Sequence, residues 1–95
     1  MFIFIVNYVK GLDEVERFLP AHRAYLDRFY QSGNFIVSGR QVPRTGGIIL
    51  CNAGSREEAE HITRQDPFHT NGIAEYRIIE FSPTSYAPEF EGFCR

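Results

Sequence analysis

Phe2-Ile3-Phe4-Ile5-Val6-Asn7-Tyr8-Val9 is the stretch on which the fold turns. Its residues are almost all β-branched or aromatic. Both alternating sets, Phe2/Phe4/Val6/Tyr8 and Ile3/Ile5/Asn7/Val9, are mainly apolar, so the segment reads as a strand covered on both faces.

Beyond it the period changes from two to that of a helix. Asp13, Glu14 and Glu16 are acidic where a helix dipole favours them, and Gly33 supplies the stop. Pro20 interrupts this pattern. It gives a short turn over 12–19 followed by a main helix over 20–32, or one helix with a kink. Phe35-Ile36-Val37-Ser38-Gly39 and Gly47-Ile48-Ile49-Leu50-Cys51-Asn52 read as two strands joined by a polar, Gly-terminated loop. Ser55-Arg56-Glu57-Glu58 is a capping box that opens a second helix, expected to close at Asp66-Pro67. Residues 73–81 read as a fourth strand. Residues 1–83 are expected to form one domain and residues 84–95 a tail, docked through Tyr86, Phe90 and Phe93 on the domain or on a partner.

A βαββαβ order with right-handed crossovers makes an α+β fold, a ferredoxin-like sandwich with a four-stranded antiparallel sheet and two helices on one face. The other face is then open. Fourteen of the 95 residues are Phe or Tyr, a large apolar area for a chain that alone buries only about 60–65% of its unfolded surface. A homodimer through the open sheet face accounts for the surplus; the tail folding back over the sheet is the alternative.

The charge is −2, and nine of the ten basic residues are Arg. No basic stripe is present. The RNA-recognition motif shares the element order but requires aromatic residues in its third strand, and residues 47–52 have none, so no nucleic-acid partner is expected. The apolar start is broken by Asn7 and Tyr8, with no basic run or cleavage-like stretch before Lys10, so neither a signal peptide nor a membrane span is expected. Cys51 and Cys94 are 43 positions apart without further cysteines, which points to a reducing cytoplasm and away from a metal cluster or disulfide framework. No metal and no cofactor is expected.

Three positions carry potential chemistry. On the first helix Val15, Phe18, Leu19, Tyr25, Leu26 and Phe29 form one stripe with His22 in its middle, so His22 points inward. On the second helix Ala59 and Ile62 mark the buried face and Asp66, at i+7, extends it. A buried carboxylate needs a donor, and an inward imidazole needs an orienting acceptor. A His22–Asp66 pair meets both needs and frees the other ring nitrogen for proton transfer. Two plainer readings stand beside it: His22 as a core histidine satisfied by one hydrogen bond, and Asp66 as the cap of an Asp-Pro turn. Contact between the two requires the Pro20 break or the 66–72 loop to close the gap between their helices. The third position is the loop after Arg40, where Arg40, Arg44 and the Gly46-Gly47 amides could receive an anion, solvated arginines being the default. His61 is expected to be solvated, and Cys51 to be a small core residue.

Pro20-Ala21-His22 followed by Tyr25-Leu26, the Gly33 to Ser38-Gly39 strand leading to Pro43, Gly46-Gly47, Asp66-Pro67-Phe68, and Ala74-Glu75-Tyr76 ending in Phe81 together resemble the YciI-like (YCII-related) family over residues 1–83. The resemblance implies a dimeric α+β barrel subunit with a His–Asp active site, which falls on His22 and Asp66. Relatives in the broader dimeric barrel superfamily include cofactor-free enzymes acting on aromatic or quinone-like compounds, so the resemblance implies proton transfer, such as elimination or isomerisation, on a small aromatic molecule. Arg40, Arg44, Tyr25, Ser38 and Phe68 would then contact the substrate. Many relatives carry Arg where this chain has Leu19, so an anion contact there would fall to Arg17, Arg40 or Arg44. A non-catalytic ligand-binding or accessory dimer is the alternative function.

Overall fold

The first strand lies inside the sheet, paired on both edges. In the computed structural model, which describes residues 1–94, β1 (Phe2–Tyr8) pairs antiparallel with β3 (Gly46–Cys51) on one side and β4 (Ala74–Glu80) on the other. β2 (Phe35–Arg40) is added outside β3, giving the order β2-β3-β1-β4. This is the four-stranded antiparallel sheet of the ferredoxin-like α+β fold.

Phe2, Phe4 and Val6 face the helices and are buried, with Cys51 and Ile49 of β3 beside them in register. Removing each of the larger side chains from water contributes roughly 1.5–3 kcal/mol. The layer above is α1 (Leu12–Gln31), one continuous helix. Of the two forms expected at Pro20, a division or a continuous helix, the continuous one occurs. Pro20 is on the exposed side, so the carbonyl one turn back that loses its amide partner can be hydrated instead. Val15, Tyr25 and Phe29 are buried along the predicted stripe, and Phe18, Leu19 and Leu26 pack at its margins.

α2 (Arg56–Thr63) starts at the predicted cap: the Ser55 hydroxyl accepts from the Glu58 amide at 3.1 Å. Glu58 reaches back to the Gly54 amide at 2.8 Å, one residue before the cap. The helix ends three residues earlier than the Asp-Pro stop predicts. Pro67–Thr70 instead forms a short helix, α3, with Asp66 as its N-cap and Pro67 in its first turn, a position that lacks an amide partner in any case.

β2 contains a bulge. Phe35 pairs with Cys51 and Val37 with Leu50, so Ile36 is an extra residue. Regular alternation from Phe35 would point Val37 and Gly39 toward the helices. The extra residue turns Ser38 and Arg40 inward instead, opposite Ile49 and Gly47, and leaves Val37 57% exposed on the far face.

That far face carries no helix. Ile3 and Ile5 of β1, Ile48 and Leu50 of β3, Val37 of β2 and Ile79 of β4 share it by register, and Ile48 and Ile79 are also exposed. After β4, a 3-10 helix (Pro88–Phe93) is held to the end of β3 by Asn52, whose side-chain amide donates to the Phe93 carbonyl at 3.2 Å.

Candidate active site

Asp66 is 0% exposed, and both of its oxygens are occupied. Oδ1 accepts the Phe68 amide of α3 at 3.0 Å and His22 Nδ1 of α1 at 2.8 Å. Oδ2 accepts the hydroxyl of Tyr76 on β4. Sequence reasoning set the cap and the histidine partner against each other. A carboxylate has lone pairs for both, and one atom serves both roles. The helices themselves do not close the gap between them; the 66–72 segment does, by folding into α3 against the middle of α1.

The network fixes the tautomer. The Phe68 amide and the Tyr76 hydroxyl both donate to Asp66, as does His22 Nδ1–H, so Nε2 is the ring nitrogen that Asp66 leaves unengaged. Burial raises the Tyr76 phenol far above its ordinary range, with the Tyr25 and Asp66 charges adding to the effect, so Tyr76 stays a donor. The imidazole is also held by its face. It stacks on Phe68 with centroids 4.1 Å apart and planes 5° apart, and Phe68 is in turn met edge-on by Tyr8.

His22 borders a cavity of about 300 Å³ between α1 and the β1–β3–β2 part of the sheet. Phe68, Ser38, Arg40 and Arg44 line it as well, so five of the seven anticipated site residues converge there. Asp66 sits behind His22. Tyr25 is buried beneath the histidine ring, and its hydroxyl donates to the Ile62 carbonyl at 2.9 Å, tying α1 to α2. Burial raises that phenol too. Ser38 shares a hydrogen bond with the Tyr30 hydroxyl of α1. Arg44 donates to Glu16 at 2.8 Å, which raises the guanidinium pKa.

Two participants lie outside the sequence reading. Arg23 lines the cavity one helical turn after Leu19, which lines it too; this i, i+4 relation was available in the sequence. Tyr76 was legible only as part of the Ala74-Glu75-Tyr76 strand, because its partner comes from a different element. Arg17 lies beside Glu14 and over Phe18, away from the cavity. Cys51 is fully buried, and burial pushes its thiol up to about 12, as a small core residue should behave. Among the described residues no three His, Cys, Asp or Glu side chains converge as metal ligands, and no helix is long and apolar enough to cross a membrane.

No curated protein matches the sequence. Among solved structures the chain is similar to the 5-chloro-2-hydroxyhydroquinone dehydrochlorinase of Burkholderia phenoliruptrix AC1100 in complex with 2,5-dihydroxybenzoquinone. The two share 20% identity over 85% of this chain and 93% of that one, with a TM-score of 0.71. At that identity the likeness is one of fold, and it agrees with the βαββαβ architecture. Residues 1–82 match the profile described as the YCII-related domain, and the chain belongs to that family.

Proposed function

We propose that the chain is an acid–base enzyme acting on a small, aromatic or similarly flat organic molecule, by elimination, isomerisation or a related proton transfer. The observation that carries this reading is the 2.8 Å contact between His22 Nδ1 and a fully buried Asp66, with the ring bordering the cavity.

The hydrogen bond to Asp66 holds the His22 proton on Nδ1 and leaves Nε2 to act as the base. Nε2 takes a proton from the substrate, and the new imidazolium is stabilised by the carboxylate 2.8 Å away. The electron pair left on the substrate expels a leaving group or shifts a double bond, and Nε2 returns the proton to the departing group or to a different carbon. Positioned proton transfer of this kind contributes about 10²–10⁴-fold. Asp66 orients the ring, Phe68 fixes its plane, and Ser38, Arg40 and Arg44 contact the substrate from the strand side. Tyr25 supports the histidine from below. The dehydrochlorinase of like fold, whose name denotes an elimination on a hydroxylated ring, supports this choice of reaction class.

The same proposal includes a homodimer through the open sheet face, since Val37, Ile48 and Ile79 would otherwise stay in water. Residues 84–94 then dock on the domain or on the second copy. Both cysteines are free thiols, in keeping with a cytoplasmic setting. Sedimentation should give the dimer mass at micromolar concentration.

The test of the chemistry is a panel of halogenated and hydroxylated aromatics and unsaturated lactones, followed by NMR with wild type and His22→Gln. Turnover lost about 10²-fold or more with ligand binding intact is the expected result. Unchanged turnover ends the acid–base role, and ligand binding without turnover in the wild type assigns the chain as a binding module.

A further inference from the structure

The cavity is rich in positive charge although the chain carries a net −2. Arg23 from α1, Arg40 from β2 and Arg44 from the loop before β3 all line it beside His22. The carboxylates are unevenly distributed among them. Glu16 takes Arg44, and Asp66 is spent on His22 and lies behind it. Among the described residues, neither Arg23 nor Arg40 has a carboxylate within ion-pair distance.

Arg40 is aimed inward by the bulge at Ile36. Opposite it in register stands Gly47, which adds no side chain, so space remains above the sheet in front of the guanidinium. The floor is apolar, made by Val6 and Ile49, with Leu26 on the helix side. An apolar floor suits a flat hydrocarbon body, and two uncommitted guanidinium groups suit anionic oxygens, which they can grip in forked, charge-assisted pairs.

We propose that this cavity selects a small planar organic anion, with carboxylate or enolate oxygens held between Arg23 and Arg40 and the ring lying on Val6 and Ile49. Arg44, bound to Glu16, frames the wall. This rests on the acid–base reading of the same cavity and adds the charge of the ligand to it. An anion held there places its acidic C–H or O–H next to His22, and the two arginines stabilise the negative charge that develops when the proton leaves.

The probe is 4-hydroxybenzoate, with 4-hydroxybenzamide as its neutral counterpart and inorganic phosphate as a body-free anion. Titrations are read by calorimetry and by amide shifts in wild type, Arg23→Gln, Arg40→Gln, His22→Gln and, as a control outside the cavity, Arg17→Gln. The carboxylate is expected to bind on the order of tenfold or more tightly than the amide, weakening with salt, with shifts at Ser38 and Gly47. Arg23→Gln and Arg40→Gln each lose about tenfold, while Arg17→Gln and His22→Gln stay within about threefold. Equal binding of the amide, displacement of 4-hydroxybenzoate by phosphate, or full affinity in both arginine variants overturns the proposal. Because His22→Gln is expected to bind but not turn over substrate, a failure of the acid–base reading shows up in its turnover and a failure of the clamp in the arginine variants.

Discussion

Tyr76 donates its hydroxyl to the Asp66 oxygen that His22 leaves open, so a residue on β4 holds the carboxylate that orients a residue on α1. No side-chain polar atom buried among the described residues lacks a partner, and this bond is part of the reason. Tyr76→Phe keeps the ring and deletes only the donor, leaving Oδ2 of a 0%-exposed carboxylate without one. The expected loss is about 1–3 kcal/mol, or roughly 4–8 °C in Tm for each kcal/mol in a domain of this size. Urea unfolding of the two proteins measures it, and a variant as stable as wild type would remove Tyr76 from the network.

Asp66→Asn tests the orientation of the imidazole separately from its presence. An amide can still accept at one atom, but it has no charge with which to stabilise an imidazolium, and its NH₂ group no longer accepts from Tyr76. Turnover of a confirmed substrate should fall about 10²–10⁴-fold with the fold retained. Nitrogen-15 shifts of the His22 ring give a readout that needs no substrate: mainly Nδ1–H in wild type and a mixture of tautomers in the variant. A ring that remains Nδ1–H in Asp66→Asn would show that something other than the carboxylate sets the tautomer.

Gly46 stands where β3 has no room for a Cβ. A Cβ there would stand 1.7 Å from the Val6 carbonyl oxygen and 2.8 Å from its carbon, and φ is +157°. The backbone of β3 therefore cannot keep its pairing with β1 if any side chain is present, and the adjoining Thr45, whose carbonyl accepts the Tyr8 amide at 2.9 Å, would be displaced along with Arg44. Gly46→Ala should cost more than about 3 kcal/mol or prevent folding, whereas Gly39→Ala, with nothing within 4 Å of the new Cβ, should stay within about 1 kcal/mol. Equal stability of the two variants in denaturant would contradict this placement of β3.

What the sequence discloses about this site follows physical range. The α1 stripe, the Ser55 cap and the two apolar faces of β1 are local patterns, and each leads to the observed element. His22 and Asp66 are recognisable as inward-facing because a helical period places them there, although Asp66 reaches its place as the cap of α3 and not as an extension of α2. The bulge is invisible by comparison. Phe35-Ile36-Val37 is uniformly apolar, so either register of β2 buries comparable side chains, and only pairing with β3 turns Ser38 and Arg40 inward. The Tyr76 bond is hidden for the same reason: its donor and acceptor belong to elements whose approach depends on the whole fold.

The buried phenols make stability depend on alkaline pH, and the sign follows from proton counts. Tyr25 and Tyr76 both have native pKa values raised above 10.0, chiefly by burial, whereas in the unfolded chain they titrate near 10.0. Well below that value both states hold their phenolic protons, and these groups contribute no slope. Above it the unfolded chain releases protons that the native state keeps, so unfolding is favoured by about 1.4 kcal/mol per pH unit for each phenol. The Cys51 thiol, pushed up to about 12 from 9.0, begins to act in the same direction about a unit earlier. Urea midpoints should therefore show no phenol-linked slope from about pH 7 to 9 and fall steeply above about pH 10. Tyr76→Phe is less stable at neutral pH but has one phenol fewer to ionise, so its curve should descend about 1.4 kcal/mol per pH unit less steeply and converge on wild type in strong alkali. Parallel curves for the two proteins would mean that Tyr76 already ionises in the native state, and the donor to Asp66 would have to be sought elsewhere.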